Sequence, residues 1–282
     1  MNGPRPKWMR PNEAGFTVVE ILIYLVIASV VMTSVYSLMI KQSQTYADQR
    51  EAMDVRESVR GAAVLLAAEL RQVSAAGGDL YSIQPTSLAL RSIRGSSIVC
   101  AWDPVAMRVG LWGVTGQFDA TPDDSALVFA VGDDTPGDDT WRVFDITADQ
   151  TGGGWGMANC AWPSNPPTER VVTGTGDTTG IAIGAPFRAF RRIEYGLFQD
   201  ASRWWLGRRV GGSTTWEKLT GPLRYDGLTF SYYDASGTVT TIPAAVRTVE
   251  IVIRGESSGK SPLQGGSGER QDSVRTRVFL RG

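Results

Sequence analysis

The densest group of potential ligands in the sequence is an acidic cluster between residues 133 and 139. It contains four carboxylates, from Asp133, Asp134, Asp138 and Asp139. Carboxylate oxygens near a turn are the ligands that Ca²⁺ prefers. The spacing differs from that of an EF-hand, which needs Asp or Asn at alternate positions and a distal Glu. We expect a solvated acidic loop here, with a Ca²⁺ site as the alternative.

Histidine is absent from the 282 residues. Its absence excludes histidine general bases, histidine metal ligands and Ser-His-Asp triads. Carboxylates, lysines or a Ser–Lys pair would have to perform any catalysis, and the sequence contains no nucleophile motif of that kind. We therefore expect a protein that is not an enzyme and that needs no cofactor.

Two cysteines, Cys100 and Cys160, both follow the apolar segment near the N-terminus. A single pair in an exported domain fits one disulfide. It would close a loop of roughly 60 residues and stabilise the fold by about 4 kcal/mol. Two unpaired, half-buried thiols are the alternative.

Four pairs of adjacent residues could form binding surfaces. Trp204-Trp205 and Tyr232-Tyr233 each place one ring toward a core and the other toward solvent if they lie on strands. An exposed ring could stack on a carbohydrate or a DNA base, but we favour core packing. Arg191-Arg192 and Arg208-Arg209 could form a local basic patch. The net charge of −1 gives no indication that a nucleic acid is required.

A long apolar segment, residues 16–40, contains a single charged residue, Glu20. At about 1.5 Å per residue, it matches the ~30 Å hydrocarbon core of a bilayer. Residues 1–15 are basic, so the positive-inside tendency predicts a single-pass protein with a cytoplasmic N-terminus. An unpaired carboxylate in apolar surroundings costs several kcal/mol or takes up a proton. Glu20 therefore needs a positive partner.

The segment from Gly15 to Glu20, Gly-Phe-Thr-Val-Val-Glu, resembles the processing site of type IV prepilins and type II secretion pseudopilins. In that family a prepilin peptidase cuts after the glycine and methylates the new amino-terminal phenylalanine. The resemblance implies a leader peptide over residues 1–15, a methylated Phe16 and Glu20 as the fifth mature residue. It also implies insertion into the inner membrane and assembly with other pilins or pseudopilins through the N-terminal helix.

Cleavage after Gly15 would create a positive amine at Phe16, close to Glu20 of the same chain or of a neighbour. At low effective dielectric, this attraction is large enough to offset desolvation and to fix the axial register of packed helices. The alternative is a Glu20 side chain that reaches the lipid headgroups from near the helix end.

Three further classes of N-terminal segment compete with a prepilin leader. A secretory signal peptide normally has a shorter apolar core of about 7–15 residues and a small-x-small cleavage site. A plain signal anchor explains the apolar run but neither Glu20 nor the abrupt junction at Gly15. A membrane-tethered adhesin that never polymerises would keep residues 1–15 and tolerate the loss of Glu20.

The helix is predicted to continue over residues 41–78, because no proline occurs between Ile40 and Pro85. An apolar stripe recurs at spacings of three, four and seven, formed by Tyr46, Met53, Ala63, Leu66, Leu70 and Val73. Gly77-Gly78 is a stop signal. These features predict one helix of about 60 residues and ~90 Å, whose first half spans the membrane and whose second half packs on a head.

Residues 79–282 alternate short apolar runs with Gly, Pro, Asp and Asn clusters, which predicts a β-rich head. The predicted strands are Ser87–Ile93, Ser96–Trp102, Arg108–Trp112, Ala126–Val131, Trp141–Ile146, Arg188–Phe198, Arg203–Val210, Leu228–Tyr233, Val246–Arg254 and Val274–Arg281. The predicted fold class is therefore α+β, a pilin-like lollipop with a long N-terminal helix and an antiparallel head.

The order of the helix, a variable middle and C-terminal strands at 195–197, 228–233, 249–254 and 274–282 resembles the PilW-like minor pilins, which are related to the J-type pseudopilins of type II secretion. This resemblance implies a minor type IV pilin that primes or caps a pilus used in motility, adhesion or DNA uptake. The protein would then lie in the periplasm or in a cell-surface pilus. A bulky head is hard to repeat in a tight filament, which favours a priming or tip role. A type II secretion minor pseudopilin is the alternative.

Overall fold

The computed structural model describes residues 17–118, 124–132, 139–260 and 269–281. One α-helix, α1, spans Val18–Leu70 and precedes eleven strands in this part of the chain, with a short 3-10 helix at Pro243–Ala245. The strands are β1 (Leu80–Ile83), β2 (Ser87–Asp103), β3 (Arg108–Gly116), β4 (Asp124–Ala130), β5 (Thr140–Thr151), β6 (Arg170–Gly176), β7 (Pro186–Asp200), β8 (Arg203–Val210), β9 (Glu217–Tyr233), β10 (Thr248–Lys260) and β11 (Glu269–Phe279). All of these strands pair antiparallel. The prediction of a long N-terminal helix and an antiparallel β-rich head is confirmed.

The helix ends at Leu70, well before the Gly77-Gly78 pair at which the sequence predicts its end. The chain tightens after Leu70, because the N–H groups of Gln72 and Val73 donate to carbonyls three residues earlier, at 3.2 and 3.1 Å. The carbonyl of Val73 then accepts from the N–H of Arg281 at 3.0 Å. The chain therefore leaves the helix to pair with the C-terminal residues, and the glycines do not set the boundary.

The second half of α1 buries one face against β9, β10 and β11. The buried helix residues are Asp48, Val55, Val59, Ala62, Ala63, Leu66, Ala67 and Leu70. The predicted stripe is wrong at its start, since Tyr46 and Met53 are 71% and 64% exposed. Val55 follows Met53 by two residues and lies about 200° around the helix. The sheet thus covers the face opposite to the one that Tyr46 and Met53 occupy.

Two long strands, β2 and β7, connect two parts of the head. They pair from Ser87–Gly196 to Ile98–Pro186. At one end they belong to a sheet in the order β1-β2-β7-β8-β9-β10-β11, on which α1 packs. At the other end they close a ring in the order β2-β3-β6-β5-β4-β7. One hydrophobic core lies under α1, and a second lies inside the ring around Phe144 and Phe187.

A disulfide joins Cys100 on β2 to Cys160 in the connection between β5 and β6, so the predicted pairing is present. Both cysteines are buried. The N–H of Ala161 also donates to the carbonyl of Cys100 at 2.8 Å. The disulfide and this hydrogen bond hold the long β5–β6 connection against the ring.

Every predicted strand overlaps an observed one, and two of the differences involve glycines. The predicted strands break at Gly95, but this residue lies inside the continuous strand β2, at a register shift in its pairing with β7. A Cβ atom at Gly95 would lie 2.5 Å from the carbonyl oxygen of Thr115. Strand β6 is absent from the predicted set. It contains Gly174, where a Cβ would lie 2.3 Å from the carbonyl oxygen of Asp145. At both positions glycine permits close backbone approach and does not form a turn. The short strand β1 is also absent from the predicted set.

The close approach of α1 to the sheet depends on Gly255 of β10. A Cβ at Gly255 would lie 2.5 Å from Val59 Cγ2 and 2.8 Å from Val55 Cγ1. We expect Gly255→Ala to lower the free energy of unfolding by about 1–3 kcal/mol, because the helix must move away from the sheet. Chemical denaturation of the full chain in detergent measures this change.

Gly61→Ala is the matched control for Gly255→Ala. A Cβ at Gly61 meets nothing within 4 Å, and the residue lies inside α1. This variant should raise the free energy of unfolding by up to ~1 kcal/mol, since alanine is the better helix former. Equal effects of the two substitutions would contradict the packing role of Gly255.

Candidate functional site

The described start of α1 is a capped helix terminus. Thr17 is extended, with φ −76° and ψ 149°, and its Oγ1 accepts a hydrogen bond from the N–H of Glu20 at 3.3 Å. Thr17 and Glu20 thus have the spacing of a capping box, with Glu20 at the third helical position. A carboxylate there is favoured by the positive end of the helix dipole. The helix terminus therefore stabilises the charge of Glu20 in part.

The first half of α1 has a bare apolar surface. Every Val, Leu, Ile, Met and Tyr from Val18 to Ile40 is 40–76% exposed. An 18-residue window of this helix has a mean hydropathy of 2.4, and none of it is buried. By length and composition the helix can cross a membrane. The described part of the head does not cover this surface, which leaves it available to lipid or to other helices.

Hydroxyl groups in this half bond to the helix itself. The hydroxyls of Ser29, Thr33, Ser34 and Ser37 donate to carbonyls three or four residues earlier, at 2.8–2.9 Å. Internal hydrogen bonds of this kind lower the cost of placing a hydroxyl in hydrocarbon. Glu20 is thus the one ionisable carboxylate between residues 17 and 40 that an apolar environment must accommodate.

Glu20 lies far from any basic residue of the described helix. The next basic residue along α1 is Lys41, which is ~30 Å further along the axis at 1.5 Å per residue. The side chain of Glu20 is only partly exposed. A positive partner must therefore come from outside residues 17–40.

Several predicted site residues lie outside the described residues. These are Gly15 and Phe16 at the predicted cleavage site, and Asp133, Asp134 and Asp138 of the acidic cluster. Of that cluster, Asp139 is described, and its carboxylate accepts from the N–H of Gly132 at 3.1 Å. The described ranges contain no group of three or more Cys, Asp or Glu side chains arranged to hold a metal ion.

The aromatic pairs are mainly structural. Tyr232 is buried, and its hydroxyl donates to the carbonyl of Gln84 at 2.9 Å. Trp204 and Trp205 are both half-buried, and the ammonium of Lys218 lies 4.0 Å from the centre of the Trp205 ring. Neither pair therefore presents an open stacking surface.

The arginine pairs contribute to a common surface that the sequence indicated only in part. Arg191, Arg208 and Arg209 are brought together with Arg94 around one cavity, whereas Arg192 lies over the ring of Tyr81, 4.7 Å from its centre. Arg94 gave no signal in the sequence, because it lies almost a hundred residues before the nearest of the other three.

Residues 10–36 match the family described as the prokaryotic N-terminal methylation motif. No curated protein and no solved structure matches the chain. The matched segment contains Gly15, Phe16 and Glu20 and most of the bare apolar half of α1. Together the motif, the apolar helix and the β-rich head support a membrane-anchored protein of the type IV pilin or pseudopilin kind.

The side chain of Thr17 should stabilise the first turn of α1. Thr17→Ala removes the acceptor of the Glu20 N–H and should destabilise the first turn by ~1 kcal/mol. The amide hydrogens of Glu20 and Ile21, which bond to Thr17 Oγ1 and to the Thr17 carbonyl, should then exchange about fivefold faster in detergent micelles. Thr17→Ser retains the acceptor and should exchange like the unmodified protein. Equal exchange in the alanine and serine variants would refute the cap.

Proposed function

We propose that this chain is a minor pilin of a type IV pilus, cut after Gly15, methylated at Phe16 and incorporated into the filament through α1. The observation that carries the proposal is the bare apolar surface of Val18–Ile40 with Glu20 at its start. Because the described head leaves this surface uncovered, its partners are lipid before assembly and the helices of other pilins afterwards.

The charge of Glu20 makes assembly depend on cleavage. The helix terminus compensates its carboxylate only in part, and no basic side chain lies within residues 17–40. Cleavage after Gly15 creates an amine four residues before Glu20. In an apolar helix bundle that amine attracts Glu20 of its own chain or of a neighbour. Only one axial offset between neighbouring helices brings the charges together, so the pair selects a register.

The form of the head favours a minor subunit that primes or caps the filament. It combines the sheet that carries α1 with a closed ring of six strands, and each part has its own hydrophobic core. A head of this size needs more lateral room than tight helical packing along a whole filament provides. A single copy at the start or the tip avoids that crowding.

The cellular location of the protein changes with cleavage and assembly. Before assembly the protein is a single-pass protein of the inner membrane with its N-terminus in the cytoplasm and its head in the periplasm. Prepilin peptidase then removes residues 1–15. After incorporation the head is part of a periplasmic or cell-surface filament, and no nucleic acid is needed for this role.

Glu20→Gln tests the charge pair while keeping the size of the side chain. We expect cleavage to continue and the amount of the protein in sheared filaments to fall about tenfold or more, since ~1.4 kcal/mol of lost attraction already corresponds to a factor of ten. Immunoblots of sheared filaments, relative to the total protein, measure the incorporation.

Glu57→Gln is the control, because it makes the same chemical change at an exposed position of α1 beyond the apolar half. It should incorporate normally. Normal incorporation of Glu20→Gln would refute the register role. An uncut chain that stays in the membrane would favour a tethered adhesin and contradict the proposed function.

A further inference from the structure

A cavity lined by four arginines lies where the two parts of the head meet. It encloses about 470 Å³. Its charged lining consists of Arg94, Arg191, Arg208 and Arg209, with Glu217 as the acidic member. Side chains at alternate positions of a strand share a face, so Arg191 of β7 points to the same side as its buried neighbour Ile193. Arg208 and Val210 of β8 lie on this face as well, whereas Arg209 between them points to the other face, so the cavity lies around the end of β8.

Three of these arginines are held in place by carboxylates. Arg191 pairs with the buried Asp124. Arg208 donates to Glu217 through two nitrogens, at 2.7 and 3.2 Å, which holds the pKa of the Glu217 carboxyl below its usual range. A guanidinium has five N–H donors, so one carboxylate partner does not use all of them. These pairs orient both arginines, and Arg208, which also interacts with Tyr195, has N–H donors beyond the two that Glu217 accepts.

Arg209 is fixed in the same way. Its Nε donates to Glu194 at 2.9 Å, and its guanidinium lies over the ring of Trp216, 4.6 Å from the centre. Another nearby carboxylate, Glu69 of α1, accepts from the hydroxyl of Ser92 at 3.1 Å. The carboxylates around the cavity are therefore already engaged.

Arg94 differs from the other three arginines. Its side chain is exposed, and it makes no hydrogen bond or ion pair within the part of the chain that the structure describes. It adds a positive charge to a lining that already contains three oriented guanidinium groups. An oxyanion in the cavity would give Arg94 the charge-assisted hydrogen bonds that the protein does not supply.

The rest of the lining contains Trp216, Ile193 and Val210 together with the polar residues Ser213 and Thr215. The ring of Trp216 stacks on Phe198 with centres 5.7 Å apart and planes 5° apart. Gly196 makes room for it, since a Cβ there would lie 2.8 Å from Trp216 Cη2. Ile193 and Val210 lie on the opposite face of the sheet from Gly196 and Phe198. The cavity therefore combines an arginine-rich lining with the apolar side chains of Ile193 and Val210 on the same face as Arg208.

We infer that this cavity is a binding site for a small organic anion, in which a phosphate, sulfate or carboxylate group contacts Arg94 and Arg208 and an apolar part lies against Ile193 and Val210. Planar guanidinium groups match the paired oxygens of these anions. The site is independent of N-terminal processing, because every residue that forms it belongs to the head.

Calorimetric titration of the full chain in detergent micelles tests this inference. The probes are phenyl phosphate, phenyl sulfate and benzoate, which share one ring and differ in the anionic group, with phenol as the uncharged comparison. We expect at least one anionic probe to bind and phenol to bind at least tenfold more weakly. Binding of none of the anions, or equal binding of phenol, would overturn the inference.

Arg94→Gln locates the site. The side chain of Arg94 has no partner among the described residues, so the substitution should leave the melting temperature unchanged and weaken binding of the anionic probe about tenfold or more. Arg60→Gln removes the same charge from an exposed position on α1 and should bind like the unmodified protein. Equal affinities in the two variants would show that the anion does not bind in this cavity.

Discussion

A single carboxylate at the start of an otherwise apolar helix is the constraint on which the functional interpretation depends. Glu20 gains partial compensation from the helix terminus that Thr17 caps. No basic side chain accompanies it up to Lys41. Burial of such a charge in lipid or in a helix bundle is unfavourable without a cation nearby. An amine produced at Phe16 by cleavage would supply one, and it would couple maturation to assembly.

The head holds the second half of α1 in place through close packing. The second half of α1 packs closely on β9–β11, because Gly255 leaves room for Val55 and Val59. The long strands β2 and β7 then connect this core to the second one inside the ring. One half of α1 is thus fixed by the head while the other half keeps its apolar surface for lipid and neighbouring helices.

Structural features encoded by neighbouring residues could be predicted from the sequence, whereas contacts between distant segments could not. The apolar run, the processing motif and the half-buried strands are each encoded within a few residues, and they indicated the fold class. Periodicity could not show which face of α1 the head covers, so the prediction for Tyr46 and Met53 was wrong. Gly95 and Gly174 resemble turn signals, although each serves close backbone approach. The closed ring and the cavity that Arg94 and Arg208 both line depend on contacts between distant segments. No local pattern reveals such contacts.

Mass spectrometry of the N-terminus of the protein isolated from its native cells tests the central claim most directly. The account predicts a chain that begins with a methylated Phe16, followed by Thr17. A chain that retains residues 1–15 would contradict it, because Glu20 would then have no new amine to pair with.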